Sequence, residues 1–232
     1  MAIMTTIQTR LAQVNERIRA ACLACGRADS TVTLLAVSKT FGADAVQAAY
    51  SAGQTALGEN YVQEAVQKMT TLRHFPLEWH CIGPIQSNKT RLVAEHFDWV
   101  HTVDRLTIGQ RLSQQRPPHL PALQVCIKVN VDGGTHKSGV PPEDALALAQ
   151  AVAKLPHLQL RGIMSIPEPA TDSIAAHAVF MRVRGLFDSL NLAGLTLDTL
   201  SMGMSADLEA AIAAGSTLVR VGSAIFGNRY YP

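Results

Sequence analysis

The segment "LLAVSKTF", residues 34–41, ends a run of apolar residues with Ser38 and Lys39. Lysine is among the residues least often buried, so a lysine at the end of a strand of the buried type has two interpretations. Either the strand ends where the lysine charge reaches water, or the lysine amine lies in a low-dielectric pocket at the end of the strand. In the second case its pKa falls and it becomes a nucleophile. The segment alone leaves both interpretations open.

Two glycine-containing segments near the end of the chain have the features of an anion site. "SMGMS", residues 201–205, gives a tight turn and then a serine that enters a helix, where backbone N–H groups and the helix dipole attract an anion. "RVGSAIFG", residues 220–227, adds Gly222, where the backbone can approach a ligand closely, and the hydroxyl of Ser223. Either segment alone favours ordinary turn glycines and helix caps. Both together, at adjacent strand ends, predict a phosphate site.

Arg220 lies between Val219 and Val221 in an apolar segment. A buried guanidinium cannot lose its proton and needs an acceptor. The acceptor is either a structural carboxylate, for which Glu59 is a candidate, or a ring nitrogen or oxygen of a ligand. A reactive lysine, a phosphate site and a buried donor together suit pyridoxal 5′-phosphate (PLP). Lys39 would then form a Schiff base with the aldehyde, and Arg220 would face the pyridine nitrogen.

Eight short apolar segments alternate with helical patterns and position these residues. Most of these segments are nearly continuously apolar, which is typical of parallel strands covered on both faces. The predicted strands are 32–38, 55–59, 78–83, 99–103, 123–130, 160–166, 199–202 and 218–222. Eight strand–helix units predict an α/β fold, a single (β/α)8 TIM barrel with an extra N-terminal helix. No linker divides the chain, so we expect one PLP-binding barrel domain over 1–232, with a helical segment over 1–30 packed on the barrel.

The mouth of such a barrel is formed by the C-terminal ends of its strands. The polar residues singled out above follow or end predicted strands, so we expect them at this mouth. The alternative fold is an open doubly wound sheet. That fold usually has fewer strands and is marked by a G-x-G-x-x-G sequence after the first strand, which this chain lacks.

Composition and charge exclude several classes of function. A net charge of +2 with no basic stripe and an aromatic content of 5% argue against nucleic-acid binding. No segment approaches about 18 uninterrupted apolar residues, and the start lacks a signal-peptide pattern. We therefore expect a cytoplasmic protein that does not bind membranes.

Cys22 and Cys25 form a C-x-x-C pair at the end of a helix, and Cys81 and Cys126 lie in apolar segments, so we expect packed thiols and no metal site.

Five segments of the chain are similar, in order, to those of the YggS/PROSC-type PLP homeostasis proteins. They are "AVSKTF", "LGENYVQE", "WHCIGPIQSNKTR", "THKSG" and "SMGMSADLEAAIAAGSTLVRVGSAIFG". The resemblance covers nearly the whole chain, and its last segment and "GENYVQE" are highly specific. It implies a single (β/α)8 barrel like the N-terminal domain of bacterial alanine racemase.

The resemblance also implies roles for single residues. Lys39 would carry the Schiff base, and Arg220 would contact the pyridine nitrogen of the cofactor. The remaining cofactor-binding residues that it implies are Asn60, His80, Met202, Ser205, Gly222 and Ser223. Lys137, in "THKSG", matches a lysine implicated in secondary PLP handling, although a loop lysine is usually just solvated.

The function that the resemblance implies is the buffering and delivery of PLP in intracellular PLP homeostasis, without established turnover. A lack of turnover also has a physical reason, because an arginine opposite the pyridine nitrogen disfavours its protonation and makes the ring a poorer electron sink. The alternatives are a PLP-dependent amino-acid racemase or lyase of the same barrel class and an aldolase-like barrel whose lysine attacks a sugar phosphate. A racemase needs a second base facing Lys39, and the sequence reveals none. We expect a monomer that is not an enzyme, with PLP and PLP-dependent apoenzymes as its partners.

Overall fold

A closed barrel of eight parallel strands forms the centre of the fold, with the strands in the order β1 to β8. The structure, a computed structural model, describes residues 2–133 and 138–227. The strands are β1 (Thr33–Val37), β2 (Ala56–Glu59), β3 (Glu78–Cys81), β4 (Trp99–Val103), β5 (Leu123–Lys128), β6 (Leu158–Met164), β7 (Thr199–Met204) and β8 (Leu218–Val221). β8 closes the barrel against β1, with Arg220 opposite Leu35. The predicted (β/α)8 barrel is confirmed, and every predicted strand ends within two residues of its expected position.

One helix precedes the barrel, and helices connect its consecutive strands. The helices are α1 (Ala2–Ala24), α2 (Ala43–Ser51), α3 (Val62–Thr71), α4 (Thr90–His96), α5 (Leu106–Gln115), α6 (Ala145–Ala153), α7 (Ser173–Leu192), α8 (Leu208–Ala213) and α9 (Ser223–Phe226). Gly53 and Gly215 follow the ends of α2 and α8 with φ of 93° and 94°. This left-handed conformation strains residues with a side chain, so glycines end these two helices.

The helix α1 packs against the outside of the barrel, on α2, α8 and α9. It buries Ile7, Leu11, Val14 and Ile18, whose spacing of three and four residues places them on one helix face. Burying each of these side chains stabilises the fold by about 1.5–3 kcal/mol. This packing is the extra N-terminal helix that the sequence predicts.

The apolar residues form one large cluster and two small ones. The large cluster includes the buried faces of the helices and the strand residues that face them. The small clusters are centred on Leu35 and Leu218 and on Trp99 and Met164. Trp99 of one small cluster stacks on the buried His80, and Leu35 of the other lies opposite Arg220.

All four cysteines are free thiols. Cys22, Cys81 and Cys126 are buried as expected, whereas Cys25 is exposed, so the expectation of packing is wrong for that thiol. Burial raises the pKa of both Cys81 and Cys126 to about 12. Within the described residues, no group of metal-binding side chains has the arrangement of a metal site. None of the described helices combines the length and apolar character needed to cross a membrane.

Candidate functional site

Closure of the barrel makes β7, β8, β1 and β2 consecutive neighbours. Four of the residues expected to bind the cofactor follow the C-terminal ends of these four strands. Lys39 lies two residues beyond β1, Asn60 directly follows β2, Ser205 follows β7 and Gly222 follows β8. The structure therefore brings these four residues to one arc of the barrel mouth.

The turn that carries Lys39 is held by several hydrogen bonds. The Ser38 N–H donates to the carbonyl oxygen of Gly58 at 3.0 Å, and the Phe41 N–H donates to the carbonyl oxygen of Ser38 at 3.0 Å. Thr40 has a φ of 71°, and its N–H donates to Glu64 Oε1 at 2.8 Å. A positive φ in a β-branched residue costs about 1–2 kcal/mol, and such strain persists only where surrounding contacts hold it. The half-buried Lys39 is thus presented on a constrained backbone.

A second lysine, Lys68 of α3, lies buried beneath this turn with only 6% of its side chain exposed. Its Nζ donates to the carbonyl oxygen of Ser38 at 2.9 Å and to Glu59 Oε1 at 2.8 Å. The same Nζ also forms an ion pair with Glu64 Oε1 at 2.6 Å. The Ser38 hydroxyl donates a hydrogen bond to Glu59 Oε1 at 2.6 Å. Burial raises the pKa of Glu59, and the charge of Lys68 opposes that rise. Lys68 was not predicted as a functional residue, because its only signal in the sequence is the i, i+4 spacing from Glu64.

Arg220 is buried, and its hydrogen-bond partners do not include Glu59, the carboxylate considered above as its structural partner. Its Nη1 donates to Ser201 Oγ at 2.6 Å, and its Nη2 donates to the carbonyl oxygen of Ser165 at 3.0 Å. Glu59 instead bonds Ser38 and Lys68, so the expectation that Glu59 could pair with Arg220 is wrong. Desolvation lowers the pKa of Arg220 to about 10. Within the described chain, its hydrogen bonds go to a hydroxyl and a carbonyl group, and none goes to a carboxylate.

The two glycine-containing segments meet at the ends of β7 and β8. Ser205 Oγ and Ser223 Oγ, hereafter the serine pair, lie 3.5 Å apart. A Cβ on Gly222 would lie 3.2 Å from the carbonyl oxygen of Val37, the last residue of β1. Gly203 has a φ of 93°, and a Cβ there would lie 2.5 Å from the Cβ of Ala211. The serine pair is thus close to the strand that leads into Lys39, because glycines allow the segments to approach.

Two interactions of the loop after β7 were not anticipated. Asp207 directly precedes α8, but its Oδ1 accepts a hydrogen bond from the Met204 N–H at 2.6 Å, and no side chain among the described residues caps that helix. Arg17 of α1 donates from Nη2 to the carbonyl oxygen of Ser205 at 3.0 Å and also pairs with Glu209. Arg17 and Ser205 are 188 residues apart, so no local sequence signal could have revealed the contact.

The remaining predicted residues lie in three different places. Asn60 is half-buried at the mouth, and its Oδ1 is buried without a hydrogen-bond partner among the described residues. Met202 is fully buried in the large apolar cluster, and His80 is buried inside the barrel, bonded to Glu78. Contact of His80 and Met202 with a cofactor therefore stays a prediction. Lys137 lies outside the described residues.

Cavities open at both ends of the barrel. A cavity of about 430 Å³ at the mouth is lined in part by Asn60, Tyr61 and Lys89. Two cavities of about 600 and 270 Å³ lie at the N-terminal ends of the strands and share Glu78, Trp99 and Arg161. Among the described residues, no lysine lines either of these two cavities.

The sequence matches the family described as "Alanine racemase, N-terminal domain" over residues 10–230. It is 59% identical over 228 residues to a protein of Pseudomonas aeruginosa named "Pyridoxal phosphate homeostasis protein", with 98% of each chain covered. A protein of the same name from Escherichia coli K12 is 52% identical over 234 residues, covering 98% of this chain and 99% of the relative.

Solved structures of other proteins share this fold. PipY of Synechococcus elongatus, solved with PLP bound, superposes with a TM-score of 0.84 at 36% identity, covering 95% of this chain and all (100%) of that one. An alanine racemase of Clostridium difficile superposes with a TM-score of 0.75 at 14% identity, covering 98% of this chain and 57% of the racemase. At that identity the racemase shows only that the fold is shared.

Proposed function

The chain belongs to the alanine racemase N-terminal domain family and, within it, to the pyridoxal phosphate homeostasis proteins, and we propose that it binds PLP and buffers it. PLP supplies an aldehyde that reacts with amines and a phosphate that needs hydrogen-bond donors. The site residues follow from this requirement: Lys39 holds the cofactor covalently as a Schiff base, and the serine pair holds its phosphate. The PLP-bound structure of PipY supports the proposal.

The residues at the mouth fit such a group. Gly222, which precedes Ser223 in the chain, lies so close to the backbone of Val37 that a Cβ there would be only 3.2 Å from the Val37 carbonyl oxygen. The Asn60 Oδ1 is a buried acceptor without a partner among the described residues, which is costly unless a ligand donates to it. The observation that carries the proposal is the 3.5 Å approach of Ser205 Oγ to Ser223 Oγ beside the strand that presents Lys39.

Arg220 determines how the protein treats the bound cofactor. Its guanidinium keeps its proton, because its pKa of about 10 lies well above neutral pH. Its bonds to Ser201 and Ser165 use two of five N–H donors, and the others serve a ring nitrogen as acceptor. A ring nitrogen that accepts from a cation stays unprotonated, so we infer storage and delivery of PLP and not turnover. The role of Arg220, like those of Asn60, His80 and Met202, belongs to this proposal.

The test is reductive trapping of PLP on the purified protein. After incubation with PLP and reduction with borohydride, peptide mass spectrometry is expected to find the label on Lys39. Lys39→Ala is expected to lose the near-visible absorption band and the label, whereas Lys154→Ala, at an exposed position after α6, keeps both. A label on another lysine, or none, would overturn the proposal. Amino-acid turnover that requires Lys39 would instead establish the racemase or lyase alternative.

The cellular role extends the proposal. We propose that the protein acts in the cytoplasm as a monomer, as one PLP-binding domain in which the segment 1–30 packs on the barrel, and that it passes PLP to PLP-dependent apoenzymes. Reactivation of an apoenzyme by the loaded protein, faster than by the PLP it releases to solution, would support direct delivery. Equal rates would refute direct delivery, and light scattering of the purified protein decides the oligomeric state.

A further inference from the structure

A continuous chain of hydrogen bonds crosses the interior of the barrel from Arg220 to Glu78. Arg220 Nη1 lies 2.6 Å from Ser201 Oγ, and Ser201 Oγ lies 3.0 Å from His101 Nδ1. His101 Nε2 lies 2.9 Å from His80 Nδ1, and His80 Nε2 lies 2.7 Å from Glu78 Oε1. Two of these residues belong to β7 and β8 and three to β3 and β4, which are on opposite sides of an eight-stranded barrel. We call this set of five side chains the relay.

The carboxylate end of the relay and the neutrality of both rings determine the direction of its hydrogen bonds. An ionised carboxylate can only accept, so His80 Nε2 carries the proton that bonds Glu78. A neutral His80 then has an unprotonated Nδ1, which accepts from His101 Nε2–H, and a neutral His101 has an unprotonated Nδ1, which accepts from the Ser201 hydroxyl. Arg220 can only donate, and Ser201 Oγ accepts from it. Every donor points from Arg220 toward Glu78, and both histidines carry their proton on Nε2.

Burial and neighbouring charges support this arrangement. His80 and His101 are fully enclosed, and desolvation lowers the pKa of His80 and lowers that of His101 further, with the charge of Arg220 adding to the effect. At the other end the hydrogen bond from His80 lowers the pKa of Glu78, so that its carboxylate is ionised. The His80 ring also stacks on Trp99 with centroids 5.3 Å apart and planes 6° apart, which fixes its orientation.

The relay explains how Arg220 is held in a barrel interior where its described bonds include no carboxylate. We propose that Ser201, His101 and His80 are positioning residues that orient the Arg220 guanidinium and connect it to the remote carboxylate of Glu78 at the opposite end of the barrel. What Arg220 faces at the mouth rests on the proposed function. The arrangement of the relay itself does not, because it follows from contacts within the protein.

The tautomers provide a test without any cofactor. Nitrogen-15 NMR of the histidine rings in the unloaded protein is expected to show His80 and His101 as neutral rings protonated at Nε2. Signals are assigned by their loss in His80→Gln and His101→Gln, each judged folded by circular dichroism. A proton on Nδ1 of either ring, or a doubly protonated ring at pH 7, would overturn the direction of the relay.

The effect on Arg220 is tested in the PLP-loaded protein. Ser201→Ala removes the acceptor of Arg220 Nη1 and is expected to shift the near-visible band and weaken PLP binding about tenfold. Ser201→Thr keeps the hydroxyl and is expected to restore both. Glu78→Gln keeps an acceptor for His80 but removes the charge, and a smaller shift in the same direction is expected.

Asp198→Asn is the matched control for Glu78→Gln. Asp198 and Glu78 are 57% and 50% exposed at the same end of the barrel, but Asp198 bonds Arg161 and lies outside the relay. An unchanged spectrum in both Ser201→Ala and Glu78→Gln, or an equal shift in Asp198→Asn, would refute the positioning role. Absence of a cofactor band in the wild-type protein would refute the proposed function, and the ring tautomers would then still decide whether the relay exists.

Discussion

The ammonium group of Lys68 donates a hydrogen bond to the carbonyl oxygen of Ser38, at 2.9 Å. Ser38 is the residue directly before Lys39, so a buried lysine of α3 holds the backbone of the lysine proposed to bind the cofactor. The same ammonium pairs with the fully buried Glu59. The two lysines at the end of β1 therefore have different roles: Lys68 is a buried structural cation, and Lys39 lies at the barrel mouth.

Removal of the structural cation is expected to destabilise the protein strongly. We expect Lys68→Met to lower the free energy of unfolding by about 3–5 kcal/mol, because Glu59 is left as an uncompensated buried charge. Urea denaturation followed by circular dichroism measures the change. The double variant Lys68→Met with Glu59→Gln contains no buried charge here and is expected to recover part of the loss. A single-variant loss below about 1 kcal/mol would contradict this account.

The close approach at Gly203 predicts a loss of both stability and cofactor binding on substitution. Gly203→Ala adds a positive-φ strain of about 1–2 kcal/mol and a clash with Ala211, which displaces the loop that carries Ser205. Gly194→Ala is the matched control, because its φ of 96° is similar and a Cβ there meets nothing within 4 Å. Thermal unfolding and PLP titration of both variants check the difference. Equal effects would show that the clash with Ala211 is unimportant.

The contact between Arg17 and the Ser205 carbonyl predicts that α1 supports the loop after β7, whose Ser205 is proposed to bind the phosphate. We expect Arg17→Ala to weaken PLP binding several-fold, measured by absorbance titration, since the loop loses its anchor on α1. The change in unfolding free energy is expected to stay below about 1 kcal/mol, because the pair with Glu209 is partly exposed. Glu209→Gln keeps the Arg17 donor for Ser205, so unchanged PLP affinity is expected there. A loss in Glu209→Gln as large as in Arg17→Ala would instead assign the effect to the ion pair.

The two buried histidines predict a loss of stability in mild acid. The pKa of His80 and that of His101 are lowered in the folded state, so the unfolded chain binds more protons below its own histidine pKa of about 6.5. The contribution of the two histidines to the free energy of unfolding is therefore fully present above about pH 6.5. It falls with decreasing pH, by up to about 1.4 kcal/mol per pH unit per histidine. Glu59 contributes a pH dependence of stability of the opposite sign, because its pKa is raised in the folded state. Its contribution to stability is present below about pH 4.3 and is lost as the pH rises above that value.

Urea denaturation at a series of pH values measures this dependence. His101→Gln is expected to remove about half of the slope below pH 6.5, since one of two buried imidazoles is gone. His119→Gln, at an exposed loop position, is expected to leave the slope as in the wild type. A wild-type stability that is flat between about pH 6.5 and 5 would show that these rings titrate normally in the folded protein.

Most of the fold could be predicted from the sequence because its signals are local. Short apolar segments at regular intervals indicate strands covered on both faces, and eight of them in one chain allow few architectures. Lys39, Gly222 and Ser223 could be selected as candidates for the same reason, since each follows a strand and parallel strands end on the same side. Gly53 and Gly215 also carry their own signal, because only a glycine adopts their φ without strain.

The partners of the buried polar groups were decided by the tertiary structure alone. Glu59 and Arg220 both lie on apolar strands, and the sequence allowed them to pair, yet Glu59 bonds Lys68 and Arg220 bonds Ser201. The sequence by itself determined which strands form, their order and the end of the barrel at which the residues proposed to bind the cofactor lie. Only the closed barrel decided which side chains meet across its interior, because a hydrogen bond depends on direction and a few tenths of an ångström, which spacing along the chain does not encode.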